Sequence, residues 1–168
     1  MHSFHSFRFV RLRRHGCLML AALGLCSTLQ AAVVPSTFGT VIGHALLCLN
    51  RMDAGYFYTY LNNAFGPPYK HDGGAYWFKT GTTLWETPIA EIMVSDGLSG
   101  HTFIGAVANV TAEKLESAIG TAMGIRHSSI DASSYPMRQS PAGSTIVYFN
   151  KQAKIYCATS QYLLPLIP

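Results

Sequence analysis

Hydrophobic positions recur at helical spacing shortly after Cys48. The apolar and aromatic residues of this stripe are Tyr56, Phe57, Tyr60, Leu61, Ala64 and Phe65. Polar positions such as Thr59 and Asn63 fall on the other side, as in an amphipathic helix. Asp53 precedes the stripe as a helix N-cap, and Gly66 with Pro67 and Pro68 ends it. The pattern predicts a helix of about three turns whose aromatic face packs on another layer.

Alternating patterns follow the two prolines and predict strands. Residues 69–74 read as a loop by composition, and residues 75–79 have strand character before a turn at Gly81. A second short strand is expected at residues 84–86. Residues 89–95 and 101–110 alternate on either side of Asp96-Gly97, so we expect an antiparallel hairpin there.

A second helical pattern begins at Thr111, a further N-cap candidate, and ends at Gly124. Its apolar stripe consists of Leu115, Ala118, Ile119, Ala122 and Met123. Residues 125–143 are polar and rich in serine and proline, which is typical of a long connection. Residues 144–149 and 153–158 then predict a last hairpin, and the tail 161–168 is apolar.

These elements predict an α+β fold. The expected order is α-β-β-β-α-β-β, with an antiparallel sheet of four to five strands and two helices packed on one face. Helix and strand alternate too rarely for a doubly wound parallel sheet. Residues 32–168 are interpreted as one domain, since a chain of this length buries a single core.

Residues 1–31 are interpreted as an export signal. Arg8, Arg11, Arg13 and Arg14 precede an uncharged run, residues 17–29, that is too short to span a bilayer. Ala31 offers a small residue at a cleavage site. A twin-arginine signal, a lipoprotein box at Cys26 and an uncleaved anchor remain alternatives. After cleavage we expect no stable membrane span and a periplasmic or extracellular location.

Charge changes once this segment is set aside. The whole chain has a formal net charge of +4, and four of its basic residues are the arginines of residues 1–31. The remainder carries eight basic and eight acidic residues. A near-neutral domain without a clustered basic face lacks the electrostatic footprint of nucleic-acid binding.

Cysteine usage agrees with export. Cys48 and Cys157 are the two cysteines beyond the signal, and paired cysteines are usual in an oxidising compartment. A disulfide between them closes a loop of roughly 110 residues and contributes on the order of 4 kcal/mol in the chain-entropy model. The alternative is a pair of buried free thiols.

No pattern indicates a catalytic or metal site. The histidines beyond the signal, which are His44, His71, His101 and His127, show no metal-ligand spacing. Ser99 lacks the glycine offsets of a nucleophile elbow. Glu86 and Glu91 flank Pro88, but exposed strand-edge acids account for them without a glycosidase pair. The sequence therefore predicts no catalytic residue, cofactor or metal ligand.

The segment Tyr69–Gly74 is the most distinctive candidate surface. It combines aromatic, charged and flexible residues, a composition suited to protein recognition. The partner-binding residues proposed from the sequence are Tyr69, Lys70, His71, Asp72, Trp77 and Trp85. The alternative is a glycine-hinged connector whose aromatic side chains lie in the core.

We therefore expect an exported, non-enzymatic protein that binds another protein, as an inhibitor, an immunity-type protein or an envelope accessory factor. A small secreted hydrolase with a dispersed site is one alternative. Binding of a small ligand or an envelope polymer is another. The sequence leaves the partner and the oligomeric state open.

Overall fold

The computed structural model describes residues 34–98, 100–149 and 151–160. A π-helical turn, Gly39–Gly43, runs directly into the short helix α1, His44–Leu46. The remaining elements are α2 Ala54–Phe65, β1 Lys70–Asp72, β2 Ala75–Leu84, β3 Thr87–Ser95, β4 His101–Ala108, α3 Ala112–Met123, β5 Ser128–Ser129, β6 Arg138–Gln139, β7 Thr145–Phe149 and β8 Gln152–Ser160. The predicted signal, residues 1–31, and the apolar tail, residues 161–168, lie outside the described residues.

Within the described residues, one antiparallel sheet of eight strands has the order β1-β2-β3-β4-β8-β7-β6-β5. The α+β class and the antiparallel pairing are confirmed. The predicted strand number and element order were wrong, because four strands precede α3 and four follow it. Three of the additional strands, β1, β5 and β6, have only two or three residues and lie in segments whose composition is typical of loops.

The cap residues were predicted correctly. Asp53 accepts a hydrogen bond at 2.9 Å from the backbone N–H of Tyr56 at the start of α2. Thr111 does the same for Lys114 at 3.4 Å. Gly124 ends α3 in the left-handed conformation, which a glycine adopts without steric cost.

The strand expected at residues 84–86 is instead a turn. Residues 75–84 form one long strand, with an irregularity in register between Lys79 and Thr82 where the turn at Gly81 was expected. The chain reverses at Trp85 and Glu86, which both have positive φ, 51° and 58°. Two consecutive left-handed residues match the right-handed twist of a two-residue hairpin. Such turns usually contain Asn-Gly, so the sequence Trp85-Glu86 did not indicate a turn.

Among the described residues, helices cover only one face of the sheet. The main core lies between the helices and the sheet, and its large side chains include Phe57, Leu61, Phe78, Ile92, Ile104, Leu115, Ile119, Ile146 and Ile155. Alternation along the strands places a second, smaller cluster on the opposite face, made of Ala75, Met93 and Val107 with Trp77 and Phe103 packed on it. This second cluster contains no helix residue. We call the first side the inner face and the second side the outer face.

Candidate functional site

The predicted recognition loop, Tyr69–Gly74, contains strand β1 and the turn of the β1–β2 hairpin. Its turn residues Gly73 and Gly74 have φ values of 63° and 74°. Lys70 then lies opposite Trp77, and His71 lies opposite Tyr76. Since directly opposed residues share a face and neighbours alternate, the hairpin sends its side chains to two different sides of the sheet. The six proposed partner-binding residues therefore do not form a single surface.

Trp77 is the centre of the first group, on the outer face. The ammonium of Lys70 lies 5.1 Å from the Trp77 ring centroid and that of Lys154 lies 5.6 Å away. The indole N–H donates to the backbone carbonyl of Asp72 at 3.1 Å, and the Asp72 carboxylate lies 2.9 Å from Lys70 Nζ. Trp77, on β2, is thus held in place by groups from two other strands, β1 and β8.

Tyr69 extends this group toward β3. Its hydroxyl donates to the Glu91 carboxylate at 2.7 Å, and the ammonium of Lys79 lies 4.9 Å from its ring centroid. Burial and the hydrogen bond to Glu91 raise the pKa of Tyr69 to about 12, so the phenol remains a donor at neutral pH. Tyr69 is nevertheless 46% exposed. We call the set Tyr69, Lys70, Trp77, Lys79, Glu91 and Lys154 the outer patch.

Three residues of the outer patch, Lys79, Glu91 and Lys154, were not among the partner-binding residues predicted from the sequence. Burial lowers the pKa of Lys154, and the nearby Glu91 carboxylate opposes that shift. Lys154 lies opposite Val107, which itself lies opposite Glu91, so the three share the outer face. The alternating pattern of β3 indicates which face of the sheet Glu91 occupies. The approach of β8 to Trp77 could not be predicted in this way, because it depends on the order of the strands in the sheet.

His71 belongs to the second group, on the inner face. Its ring stacks on Tyr76, with centroids 4.4 Å apart and an interplanar angle of 22°. Its Nε2 lies 2.7 Å from Asp96 Oδ2. The other Asp96 oxygen accepts from the backbone N–H of Leu98 at 2.9 Å. These two hydrogen bonds lower the pKa of Asp96, so the carboxylate is ionised and the His71 Nε2 must carry the proton.

A cleft of about 470 Å³ opens beside this pair. The first turns of α2, from Ala54 to Thr59, form one side. Tyr76 and the Asp96-Gly97 connection form the other. The ring centroid of Tyr58 lies 4.8 Å from that of Tyr76 in an edge-to-face contact. In the sequence, Asp96 indicates only a turn, because no local pattern shows that α2 packs over this end of β3.

Trp85 lies apart from both groups. At the β2–β3 turn it packs against the main core, and a methyl group at Gly43 would lie 3.7 Å from its indole ring. This position fits the alternative stated from the sequence, an aromatic residue held in the core. It offers no support for including Trp85 in a surface with Tyr69.

The two cysteines of the domain lie at disulfide-bonding distance. The Sγ atoms of Cys48 and Cys157 are 1.99 Å apart, and their Cα atoms are 5.4 Å apart. Cys157 is on β8 and Cys48 directly follows α1. The pair therefore fastens the first helical segment to a central strand of the sheet.

A serine–histidine pair is present but sealed. The Nε2 of His127 lies 2.7 Å from the Oγ of Ser144, which is 2.9 Å from the Oγ of Ser140. The exposed fractions of these residues are 3%, 0% and 5%, so an external substrate does not reach Ser144. Burial lowers the pKa of His127. The cluster ties the segment before β5 to the β6–β7 connection, and we assign it a structural role.

Residues 34–98, 100–149 and 151–160 contain no group of three or more His, Cys, Asp or Glu side chains placed to hold a metal ion. Over the same residues, no helix combines the length and the apolar character needed to cross a membrane.

Comparison with known proteins gives no relative. No family model matches the chain, and neither a curated protein nor a solved structure shows significant similarity to it. The function must therefore be argued from the arrangement of residues alone.

Proposed function

We propose that this chain is an exported, non-enzymatic protein that acts by binding another protein through the outer patch. The observation that carries the proposal is the packing of Trp77 between Lys70 and Lys154, beside the exposed Tyr69, on a sheet face without a described helix. An inhibitor, an immunity-type protein and an envelope accessory factor all require such a recognition surface.

Rigid aromatic side chains are the usual anchors of protein interfaces. Trp77 and Tyr69 are each held by a hydrogen bond and a lysine, so little side-chain entropy is lost when a partner covers them. Met93 and Val107 lie beneath Trp77 and keep the centre of the patch apolar. An apolar centre ringed by polar groups is the common anatomy of an interface.

The charge of the patch favours an acidic partner. Lys70, Lys79 and Lys154 carry three positive charges against two carboxylates, that of Asp72, which pairs with Lys70, and that of Glu91. That carboxylate already accepts from Tyr69 and is less available to a partner. Opposite charge on the partner would speed association and fix its register.

The test is affinity capture followed by titration of the captured partner. This protein, once purified, is used to capture partners from envelope and culture extracts. Each captured protein is then purified and titrated against it by calorimetry. Lys79→Glu reverses an exposed charge in the patch, and Tyr69→Ala removes an anchor. Lys114→Glu on α3 is the matched control, because it makes the same charge change at an exposed position on the helix side.

We expect one saturable partner with an acidic surface, whose Kd rises at least tenfold with Lys79→Glu or Tyr69→Ala and stays unchanged with Lys114→Glu. A tenfold change corresponds to about 1.4 kcal/mol. Equal binding by all variants, or no saturable protein partner over a range of salt, contradicts the proposal. The second result would shift the interpretation toward a hydrolase or a ligand-binding protein.

A further inference from the structure

The cleft beside α2 has a chemical character distinct from that of the outer patch. It lies on the inner face, where Asp96 and Tyr76 meet the first turns of the helix. Its volume of about 470 Å³ is in the range of small-ligand sites. We propose that this cleft binds a small organic ammonium ion with an aromatic or apolar body.

The first support is that the Asp96 carboxylate can accept more hydrogen bonds than it receives. An ionised carboxylate accepts about four hydrogen bonds. Its partners within the described residues are the Leu98 N–H at one oxygen and His71 Nε2 at the other, with a smaller contribution from its own backbone N–H. The Asp96 side chain is 4% exposed, and Asp96 is one of the residues that line the cleft, so the surface it retains is open to a ligand there. A ligand ammonium that enters the cleft supplies the donors this carboxylate lacks.

The second support is the charge of the cleft walls. No lysine or arginine of the described residues lines the cleft. Asp53 directly precedes the lining residue Ala54, and its carboxylate caps the N-terminus of α2. Asp53 and Asp96 together disfavour an anion at this helix N-terminus, although such positions otherwise attract anions. The balance of charge favours a cation.

The third support is the aromatic wall. Tyr58 and Tyr76 meet edge to face and line the cleft, and neither hydroxyl has a hydrogen-bond partner among the described residues. Phenol rings offer apolar surface and attract cations, and phenol oxygens accept from an ammonium group. These groups select an amine that carries an apolar body over a hydrated metal ion.

The probe pair is benzylammonium chloride and benzyl alcohol, which have nearly the same shape and differ in charge. Each is titrated into the ¹⁵N-labelled protein at neutral pH and moderate salt, and amide shifts are followed by NMR. We expect saturable shifts at residues 54–59 and 95–97 with benzylammonium, and binding of benzyl alcohol at least fivefold weaker. Asp96→Asn, which preserves shape, is expected to remove this difference.

A second pair of variants keeps the test decisive if Asp96→Asn fails to fold. Thr59→Lys places a cation in the cleft from an exposed helix position, and Asn63→Lys places the same charge one turn farther along α2. Thr59→Lys should abolish benzylammonium binding, whereas Asn63→Lys should leave it within about twofold. Equal affinity for the two probes, shifts mapping outside the cleft, or unchanged binding by Thr59→Lys overturns the proposal.

Discussion

Single residues on α2 show how far helical periodicity determines burial. The predicted stripe included Tyr56 and Phe57 as equals, yet Phe57 is 2% exposed and Tyr56 is 52% exposed. Tyr58, which the stripe omitted, instead contacts Tyr76 and Phe78 on β2. The buried face is centred on Phe57 and Leu61 and is rotated toward the side where β2 lies. Periodicity identifies a stripe about 100° wide, and the position of the sheet chooses its centre.

This difference predicts opposite outcomes for two adjacent alanine substitutions. Phe57→Ala should lower the free energy of unfolding by about 3–5 kcal/mol, because it leaves a cavity in the main core. Tyr56→Ala should change it by less than about 1 kcal/mol, since about half of the residue is already in water. Urea unfolding followed by circular dichroism measures both. Similar losses for the two variants would contradict the assigned orientation of α2.

At the scale of elements, the β1–β2 hairpin decides what the candidate residues can do. Its two glycines allow the consecutive positive φ values of the turn, which joins β1 to β2 in one register. That register sends Lys70 to the outer face and His71 to the inner face. A shift by one residue would exchange the two sides and separate His71 from Asp96.

The turn makes the hairpin sensitive to a single methyl group. Gly73 has a φ of 63° and nothing within 4 Å of an added Cβ, so Gly73→Ala meets backbone strain alone. We expect a loss of about 1 kcal/mol and increased amide exchange in β1.

Gly39→Ala is the matched control for that substitution, because an added Cβ there also meets open space, in an exposed helical turn. It should be neutral or stabilising by up to about 1 kcal/mol. Equal destabilisation by Gly73→Ala and Gly39→Ala would mean that the hairpin does not require the left-handed conformation.

At the scale of the whole molecule, Cys48 and Cys157 connect parts of the chain that are 109 residues apart. The enclosed segment contains α2, α3 and strands β1 to β7. A crosslink over so long a loop acts mainly by limiting the unfolded chain.

Loss of this crosslink should lower the free energy of unfolding by about 4 kcal/mol in the chain-entropy model. Unfolding of the wild type and of Cys48→Ser, each with and without reductant, separates the crosslink from packing. The substitution should destabilise the protein without reductant and have little further effect when reductant is present. An equal loss in both conditions would show that the thiols contribute by packing and are not bonded.

Local chemistry made several features predictable from the sequence. The caps Asp53 and Thr111, the hairpin of residues 89–110 and the pairing of the two cysteines follow from residue type and spacing. The segment Tyr69–Asp72 is exposed, as its charged composition indicated, and its role in binding stays a prediction. Each of these depends on interactions between near neighbours, or on the small number of ways in which two cysteines can pair.

Long-range placement was decided only by the tertiary structure. The short strands β1, β5 and β6 have loop-like sequences and form because a neighbouring strand offers backbone partners: β2 for β1, β7 for β6, and β6 in turn for β5. Strand order brings Lys154 to Trp77, and the packing of α2 over β2 and β3 brings Tyr58 to Tyr76 beside Asp96. The sequence by itself determined the α+β class and the ends of the helices, since these depend on local periodicity and capping. Both candidate surfaces arise from contacts between distant segments, which no local pattern encodes.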